Sequence, residues 1–350
     1  MTNLSNISIG LIIPDFDFGG EEKRVVFFAN NYLNSFKEVY VFSPDGKSSS
    51  LLDSRVNHVQ INTRNYTNIF KILSLLKKKN ITFLQGHKRA SLPILVAAEK
   101  FLNIKCNFNF DNIYLNNGLS KYIMPKAIFY LSDVLKDHYK VQFTRHSNLV
   151  INMGGEFFDP ISEEDINSHK QILGIQDKKV VLSLGRLSLQ KNHKLLIEAL
   201  LKVEYSNYIV LVVGEGPLEK DLKELCQTYG LNDKVKFLGH RKDINVLLSV
   251  SDFLVQSSIF EGFPNVFIEA ASIGLPIVAT NVGSSKTLVN DNGILVPSNN
   301  IESLANAIDT LCNEGKIYKE NALMLSRSDY FKQFHKDNML KNYLFYYQSE

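Results

Sequence analysis

The sequence predicts an α/β protein made of two doubly wound, Rossmann-like domains in tandem. Three observations carry that reading. Its 350 residues make two domains at about 150 residues each, and each can bury its own core. Short apolar runs alternate with amphipathic stretches along the chain, the pattern of a parallel sheet with covering helices. The runs themselves, such as Val180-Val-Leu-Ser-Leu184 and Ile209-Val-Leu-Val-Val213, are nearly continuous in apolar residues. Burial on both faces of a sheet demands that.

In order, Ile7-Ser-Ile-Gly-Leu-Ile-Ile13 reads as a buried strand, since it has no charged leader and no long apolar h-region of a signal peptide. Strands at 38–43, 56–61, 81–85 and 148–152 follow, with helices at 21–35 and 66–79. The polar stretch Ser162-Glu-Glu-Asp-Ile-Asn167 marks a seam over 155–178. Beyond it, strands at 180–184, 209–213, 235–238, 253–256 and 276–279 alternate with helices near 191–202, 217–229, 242–249 and 266–273. The stretch Tyr330–Glu350 reads as helical and rich in aromatic residues, with Phe331, Phe334, Leu340, Tyr343, Leu344 and Tyr347 able to dock. The domains are therefore set at 1–160 and 161–330.

Composition narrows the function. With 45% hydrophobic and 21% charged residues the chain is an ordinary soluble globular one. Its 39 basic and 36 acidic residues nearly cancel, which argues against a nucleic-acid partner. Cys106, Cys226 and Cys312 are odd in number and far apart, so neither a disulfide scaffold nor a cysteine zinc site is expected; a cytoplasmic setting is. No run approaches the ~18–20 apolar residues that span a bilayer. Charge is uneven, however: residues 1–160 hold 19 Lys/Arg against 13 Asp/Glu, and 161–350 hold 20 against 23. The excess is densest at Lys71, Lys77, Lys78, Lys79, Lys88, Arg89, Lys100 and Lys105. Two readings stand: a solvated face whose Lys77–Lys79 complement a helix dipole, or a surface meeting anionic lipid or a lipid-linked diphosphate, each Lys adding ~1 kcal/mol.

In doubly wound sheets ligands sit beyond the C-terminal ends of the strands, so the loops there carry the chemistry. The loop Pro14-Asp-Phe-Asp-Phe-Gly-Gly20 runs from a strand into a helix. Gly19 and Gly20 would let backbone N–H groups approach a phosphate, or simply make a tight turn. Asp15 and Asp17 in the same loop could hold Mg²⁺ or Mn²⁺; the expectation is that no metal binds. The loop Ser183-Leu-Gly-Arg-Leu-Ser-Leu-Gln-Lys191 sets Arg186 and Lys191 beside a helix N-terminus. A cation there opposes the dipole unless an anion joins it, so phosphate recognition competes with a surface salt bridge. The stretch Phe260-Glu-Gly-Phe-Pro-Asn-Val-Phe-Ile-Glu269 places Glu261 in a Gly/Pro loop and Glu269 on an apolar helix. An ionised Glu269 there needs strong donors, such as ribose hydroxyls.

These loops, in this order, resemble the family 4 retaining glycosyltransferases of the GT-B fold, especially bacterial enzymes that build capsule, O-antigen and lipid-linked glycans. The likeness extends to Val213-Gly-Glu-Gly-Pro217, Phe237-Leu-Gly239 and Asn292-Gly-Ile-Leu-Val296, and Glu261 to Glu269 fits the E-x₇-E signature. The resemblance implies two domains facing a cleft, with a nucleotide-sugar donor on the C-terminal domain and the acceptor, expected to be a glycan or a polyprenyl-diphosphate-linked one, on the N-terminal domain. It implies that Arg186 and Lys191 grip the donor diphosphate, with Gly19 and Gly20 amides approaching from the opposite side. Glu269 would hold the ribose, and Glu261 would orient the sugar with the amides of Phe263, Pro264's neighbour Asn265, and Val266. Gly239 and His240 would meet the base. His87, in Phe83-Leu-Gln-Gly-His87, matches the histidine beside the donor sugar. The final helix, 331–350, would cross back onto the N-terminal domain. The donor is expected to be a UDP-sugar carrying a hexose or N-acetylhexosamine, no cofactor is implied, and work at the inner face of the cell membrane fits the lipid-linked acceptor.

The chain departs from the family twice. Asn107-Phe-Asn-Phe-Asp-Asn112 stands where a second histidine is common, and Gly283-Ser-Ser-Lys-Thr287 replaces Gly-Gly-x-Pro-Glu. These departures leave two other classes in view: a UDP-sugar epimerase on the same scaffold, which needs no acceptor, and a non-catalytic nucleotide-sugar-binding or glycan-binding partner.

Overall fold

A computed structural model describes residues 2–17, 19–111, 123–139 and 141–350. The chain divides into two compact units, Met1–Met153 with Lys336–Glu350, and Gly154–His335.

The first unit is built on a seven-stranded sheet in the order β3-β2-β1-β4-β5-β6-β7. Its strands are β1 (Ser8–Ile12), β2 (Glu38–Ser43), β3 (Asn57–Gln60), β4 (Ile81–Gly86), β5 (Lys105–Phe110), β6 (Ala127–Tyr130) and β7 (Ser147–Val150). All neighbours pair in parallel. Its helices are α1 (Gly20–Tyr32), α2 (Ile69–Lys78), α3 (Leu92–Leu102) and α4 (Asp133–Tyr139). The second unit has a six-stranded parallel sheet in the order β10-β9-β8-β11-β12-β13. Its strands are β8 (Lys179–Leu184), β9 (Tyr208–Val213), β10 (Val235–Gly239), β11 (Phe253–Gln256), β12 (Ile277–Thr280) and β13 (Gly293–Val296). Covering them are α5 (Glu163–Leu173), α6 (His193–Leu200), α7 (Glu219–Thr228), α8 (Ile244–Ser249), α9 (Asn265–Ser272), α10 (Ser285–Leu288) and the long α11 (Ile301–Arg327). The short α12 (Asp329–Lys332) follows, and α13 (Lys336–Ser349) returns to the first unit.

In both sheets the central strands are wholly buried, as their apolar runs require: β1, β9, β11 and β12 expose no residue. In each, the strand order reverses beside a strand that opens the unit (β1 and β8), so the loops after those strands lie at a topological switch point.

The seam lies earlier than the 160 read from the sequence, because residues just after Met153 belong to the second unit. Gly155 bridges to His335, and the Phe158 amide donates to Ser272 Oγ at 3.0 Å. The acidic stretch at 162–167 is the start of α5, capped by the Ser162 hydroxyl 3.1 Å from the Asp165 amide. The terminal helix is not continuous from 331 either. Phe331 stacks on Phe157 and Phe334 packs on Phe263, both in the second unit, and α13 begins only at Lys336.

Candidate functional site

Four strand-end loops of the second unit are tied together edge to edge. The Gly185 amide donates to Val213 O at 2.9 Å, Leu187 N to Glu215 O at 3.0 Å, and Gly214 N to Gly239 O at 2.8 Å. The loop after β8 is then tied to the loop after β11: Ile259 N donates to Gln190 O at 2.8 Å, Gln190 Nε2 to Phe260 O at 3.1 Å, and Ser257 Oγ to Asn192 O at 2.9 Å. These bonds bring Lys191 and Glu261, 70 positions apart in sequence, to an Nζ–Oε1 distance of 2.5 Å. Glu261 is buried, and its Oε1 also accepts from Ser258 Oγ at 2.6 Å and Gln256 Nε2 at 3.2 Å. The loop after β12 closes from behind. Gly283 has φ of 54°, and any side chain on it would run into the Glu261 carbonyl.

Arg186 is placed differently. It is exposed, and no described residue forms a hydrogen bond or ion pair with it. The competing salt bridge is therefore absent for Arg186 among the described residues, whereas Lys191 makes one with Glu261. Lys191 lays its stem across Gly185, the residue before Arg186, with Cε 3.4 Å from where a Cβ would stand. Phe263, Pro264 and Val266 are buried, the Phe263 ring being taken up by Phe334 at 5.5 Å, so Phe263 and Val266 have only backbone N–H groups to offer and Pro264 has none. The α9 N-terminus has no side-chain cap, and Asn265 Oδ1 is buried without a partner. Free amides and the helix dipole favour an anion there. Glu269 is half-buried on α9, between the buried Ile268 and Ala270. Gly239 has φ of 64° with open space where a side chain would stand, and His240 beyond it is exposed.

One neighbour escaped the sequence reading. His193, the first residue of α6, is buried, its Nδ1 has no partner, and burial with the nearby Lys191 charge pushes its pKa down to about 4. It stands as a neutral ring two residues from the Lys191 ammonium. Ser258 and Gln256 also went unremarked, since a hydroxyl or amide at a strand end gives no signal until the fold shows what it touches.

In the first unit the same strand ends are filled from within. Glu22, in the first turn of α1, folds over Gly19 and pairs with Lys88. The Lys88 amide donates to Glu21 Oε1 at 3.0 Å. Carboxylates thus already occupy the positive end of the helix that Gly19 and Gly20 were expected to offer a phosphate. Asp15 is engaged by Arg64 and Lys88, and Asp17 Oδ1 accepts from the Lys47 amide, so neither stands as an uncommitted metal ligand. His87 is fully buried and burial holds its pKa well below the ordinary histidine value. Its Nε2 lies 3.0 Å from Gln85 Nε2 and 3.4 Å from Asn109 Nδ2, so the neutral ring accepts from the two amides. Asn109 in turn accepts from Tyr343 at 3.0 Å, and the Tyr347 hydroxyl lies 2.9 Å from both Gln85 Oε1 and Asn107 Oδ1. The asparagines in place of a second histidine thus seat α13; Asn112 lies outside the described residues.

The basic stretch read as one patch separates in space. Lys77–Lys79 and Lys100 lie at the C-terminal ends of α2 and α3 and Lys105 begins β5, whereas Lys88 follows the C-terminal end of β4. A helix that crosses between parallel strands runs back antiparallel to them, so these groups sit at opposite ends of the sheet. Among the described residues no helix is long and apolar enough to cross a membrane.

Two open parallel sheets of this kind form the fold called GT-B, and the comparisons agree on the fold. Residues 165–323, most of the second unit, match the family described as Glycosyl transferases group 1. An uncharacterized glycosyltransferase of Haemophilus influenzae is 28% identical over 322 residues, covering 86% of this chain and 88% of its own length. The UDP-Gal:alpha-D-GlcNAc-diphosphoundecaprenol alpha-1,3-galactosyltransferase of Escherichia coli is 35% identical over 161 residues, covering 44% of this chain and 41% of its own length. Against two other curated relatives the match spans 47% and 39% of their length, about half or less. Among solved structures, Anabaena Alr3699/HepE in complex with UDP superposes with a TM-score of 0.85 at 21% identity, covering 98% of this chain and 100% of that one. That last likeness is one of fold.

Proposed function

We propose that the chain is a retaining, metal-independent glycosyltransferase that moves a hexose or N-acetylhexosamine from a UDP-sugar to a lipid-linked glycan acceptor in surface polysaccharide synthesis. The carrying observation is an exposed Arg186 with no partner among the described residues, in the same loop as Lys191, together with an α9 N-terminus without a side-chain cap, inside the stretch that matches the group 1 family. Breaking the bond from the anomeric carbon to the diphosphate puts negative charge on the leaving group. Arg186 can take it by a bidentate contact, and Lys191 can turn from Glu261 to a phosphate oxygen. Fixed cations and helix amides can supply such stabilisation with no reorganisation at the moment of reaction. Glu269 is assigned to the ribose, Glu261 to the donor sugar, and the Gly239–His240 turn to the base. The E. coli relative, named for UDP-galactose and a diphosphoundecaprenol-linked acceptor, supports the choice of uridine and of a lipid-linked substrate. With such an acceptor the enzyme would work at the cytoplasmic face of the membrane.

The test is thermal unfolding with UDP, GDP and ADP, each with and without EDTA. Ligand at a hundred times Kd stabilises the native state by about 2.7 kcal/mol. A shift with UDP alone, untouched by EDTA, is expected. A shift lost in EDTA would replace the metal-independent reading, and no shift with any nucleotide would overturn the donor assignment.

A further inference from the structure

The Glu261 carboxylate is held asymmetrically. Three donors converge on Oε1: Lys191 Nζ at 2.5 Å, Ser258 Oγ at 2.6 Å and Gln256 Nε2 at 3.2 Å. Among the described residues nothing donates to Oε2. The two neutral donors are themselves fixed. Gln256 Nε2 lies 3.1 Å from Ser258 Oγ, and Thr280 Oγ1 at the end of β12 donates to Ser258 O at 2.6 Å. Gln256, Ser258 and Thr280 are all buried. A buried polar cluster of this kind is rigid only while each member is satisfied. Lys191, by contrast, is partly exposed and able to leave for a better anion.

We infer that Ser258, with Gln256, is a positioning residue that clamps Glu261 through Oε1 and leaves Oε2 as the atom that accepts a hydroxyl of the donor sugar. When a phosphate draws Lys191 away, the carboxylate loses its strongest partner, and the Ser258 hydroxyl keeps it from swinging. The role rests on the donor reading above and goes beyond it by naming which oxygen works and what aims it. A carboxylate oxygen can only accept, so the group it selects is a hydroxyl or amide N–H of the sugar, not an ether or a deoxy position.

The experiment compares calorimetric affinities for UDP and for three UDP-hexoses (UDP-glucose, UDP-galactose and UDP-N-acetylglucosamine) in the wild-type chain, Ser258→Ala, Glu261→Gln and the double variant. Ser258→Ala is expected to weaken the preferred UDP-hexose about tenfold, the worth of one hydrogen bond to a charged group, and to leave UDP unchanged. In the Glu261→Gln background it should add no further loss, since the hydroxyl acts only through that carboxylate. Equal losses for UDP and UDP-hexose, or an additive double variant, would make Ser258 a scaffold residue and overturn the inference. A wild-type chain that binds no UDP would instead overturn the donor reading, and this inference with it. Melting temperatures accompany each variant; if Ser258→Ala does not fold, Gln256→Met removes the second donor and carries the same comparison.

Discussion

The two sheets place similar loops at similar ends and treat them in opposite ways. In the first unit, most strand-end groups answer one another: Glu22 takes Lys88, Gln85 and Asn109 take His87 Nε2, and Tyr343 and Tyr347 close over the amides, while His87 Nδ1 and Asn107 Nδ2 are left without a hydrogen-bond partner. In the second unit, backbone bonds hold the loops while the charged heads stay available. Arg186 has no partner among the described residues, Lys191 has one it can exchange, and α9 begins without a side-chain cap. Internal satisfaction stabilises a unit, and an unsatisfied rim gives a ligand something to replace. On the reading proposed above, donor chemistry belongs to the second unit.

The sharpest way to break that contrast is Lys191→Ala. Loss of one preorganised cation is expected to reduce sugar transfer at least about a hundredfold, with the melting temperature near that of the wild type, measured by UDP release in the presence of acceptor. Glu269→Ala should abolish transfer likewise if Glu269 holds the ribose as proposed. Normal turnover in either folded variant would move the chemistry elsewhere. Gly283→Ala tests whether the second unit's rim depends on its backbone. A side chain at φ of 54° pressed on the Glu261 carbonyl should cost about 2–4 kcal/mol of stability in chemical denaturation and suppress the UDP melting shift.

Acid separates the contributions further. His193 has a folded pKa of about 4 against about 6.5 unfolded, so below 6.5 the unfolded chain binds a proton that the fold refuses. Its contribution to stability is therefore lost as pH falls from 6.5 towards 4, by up to about 3 kcal/mol. Denaturation across that range should show the slope, and His193→Gln should flatten it. His87, depressed for the same reason, adds a slope of the same sign that the His193 variant leaves in place. The smallest expected effect is in the first unit. Tyr347→Phe strips the hydroxyl from buried Gln85 and Asn107 and should cost about 1–2 kcal/mol, leaving UDP binding by the second unit unchanged.

Much of this was readable from residue order. The alternation of apolar runs and helices placed β1, β8, β9 and β11 close to where they lie, because strands buried on both faces leave a continuous signature. β5 was missed because Asn107 and Asn109 interrupt its apolar pattern, and what satisfies them, the hydroxyls of Tyr343 and Tyr347, lies more than two hundred residues away. The Lys191–Glu261 pair was hidden in the same way: each residue stood out alone, but the backbone bonds that join their loops have no side-chain signature. The basic stretch misled in the other direction, since neighbours in sequence were carried to opposite ends of one sheet.

The return of α13 gives the chain a schedule. The second unit is one unbroken stretch, Gly154–His335, while the first needs Lys336–Glu350 as well. Tyr343 and Tyr347 are fully buried there, among Phe28, Phe83 and Phe129. On the ribosome, where synthesis runs from the N-terminus, the part made first is therefore the part that closes last. Its sheet lacks the hydroxyls that meet Gln85, Asn107 and Asn109 until α13 has been made.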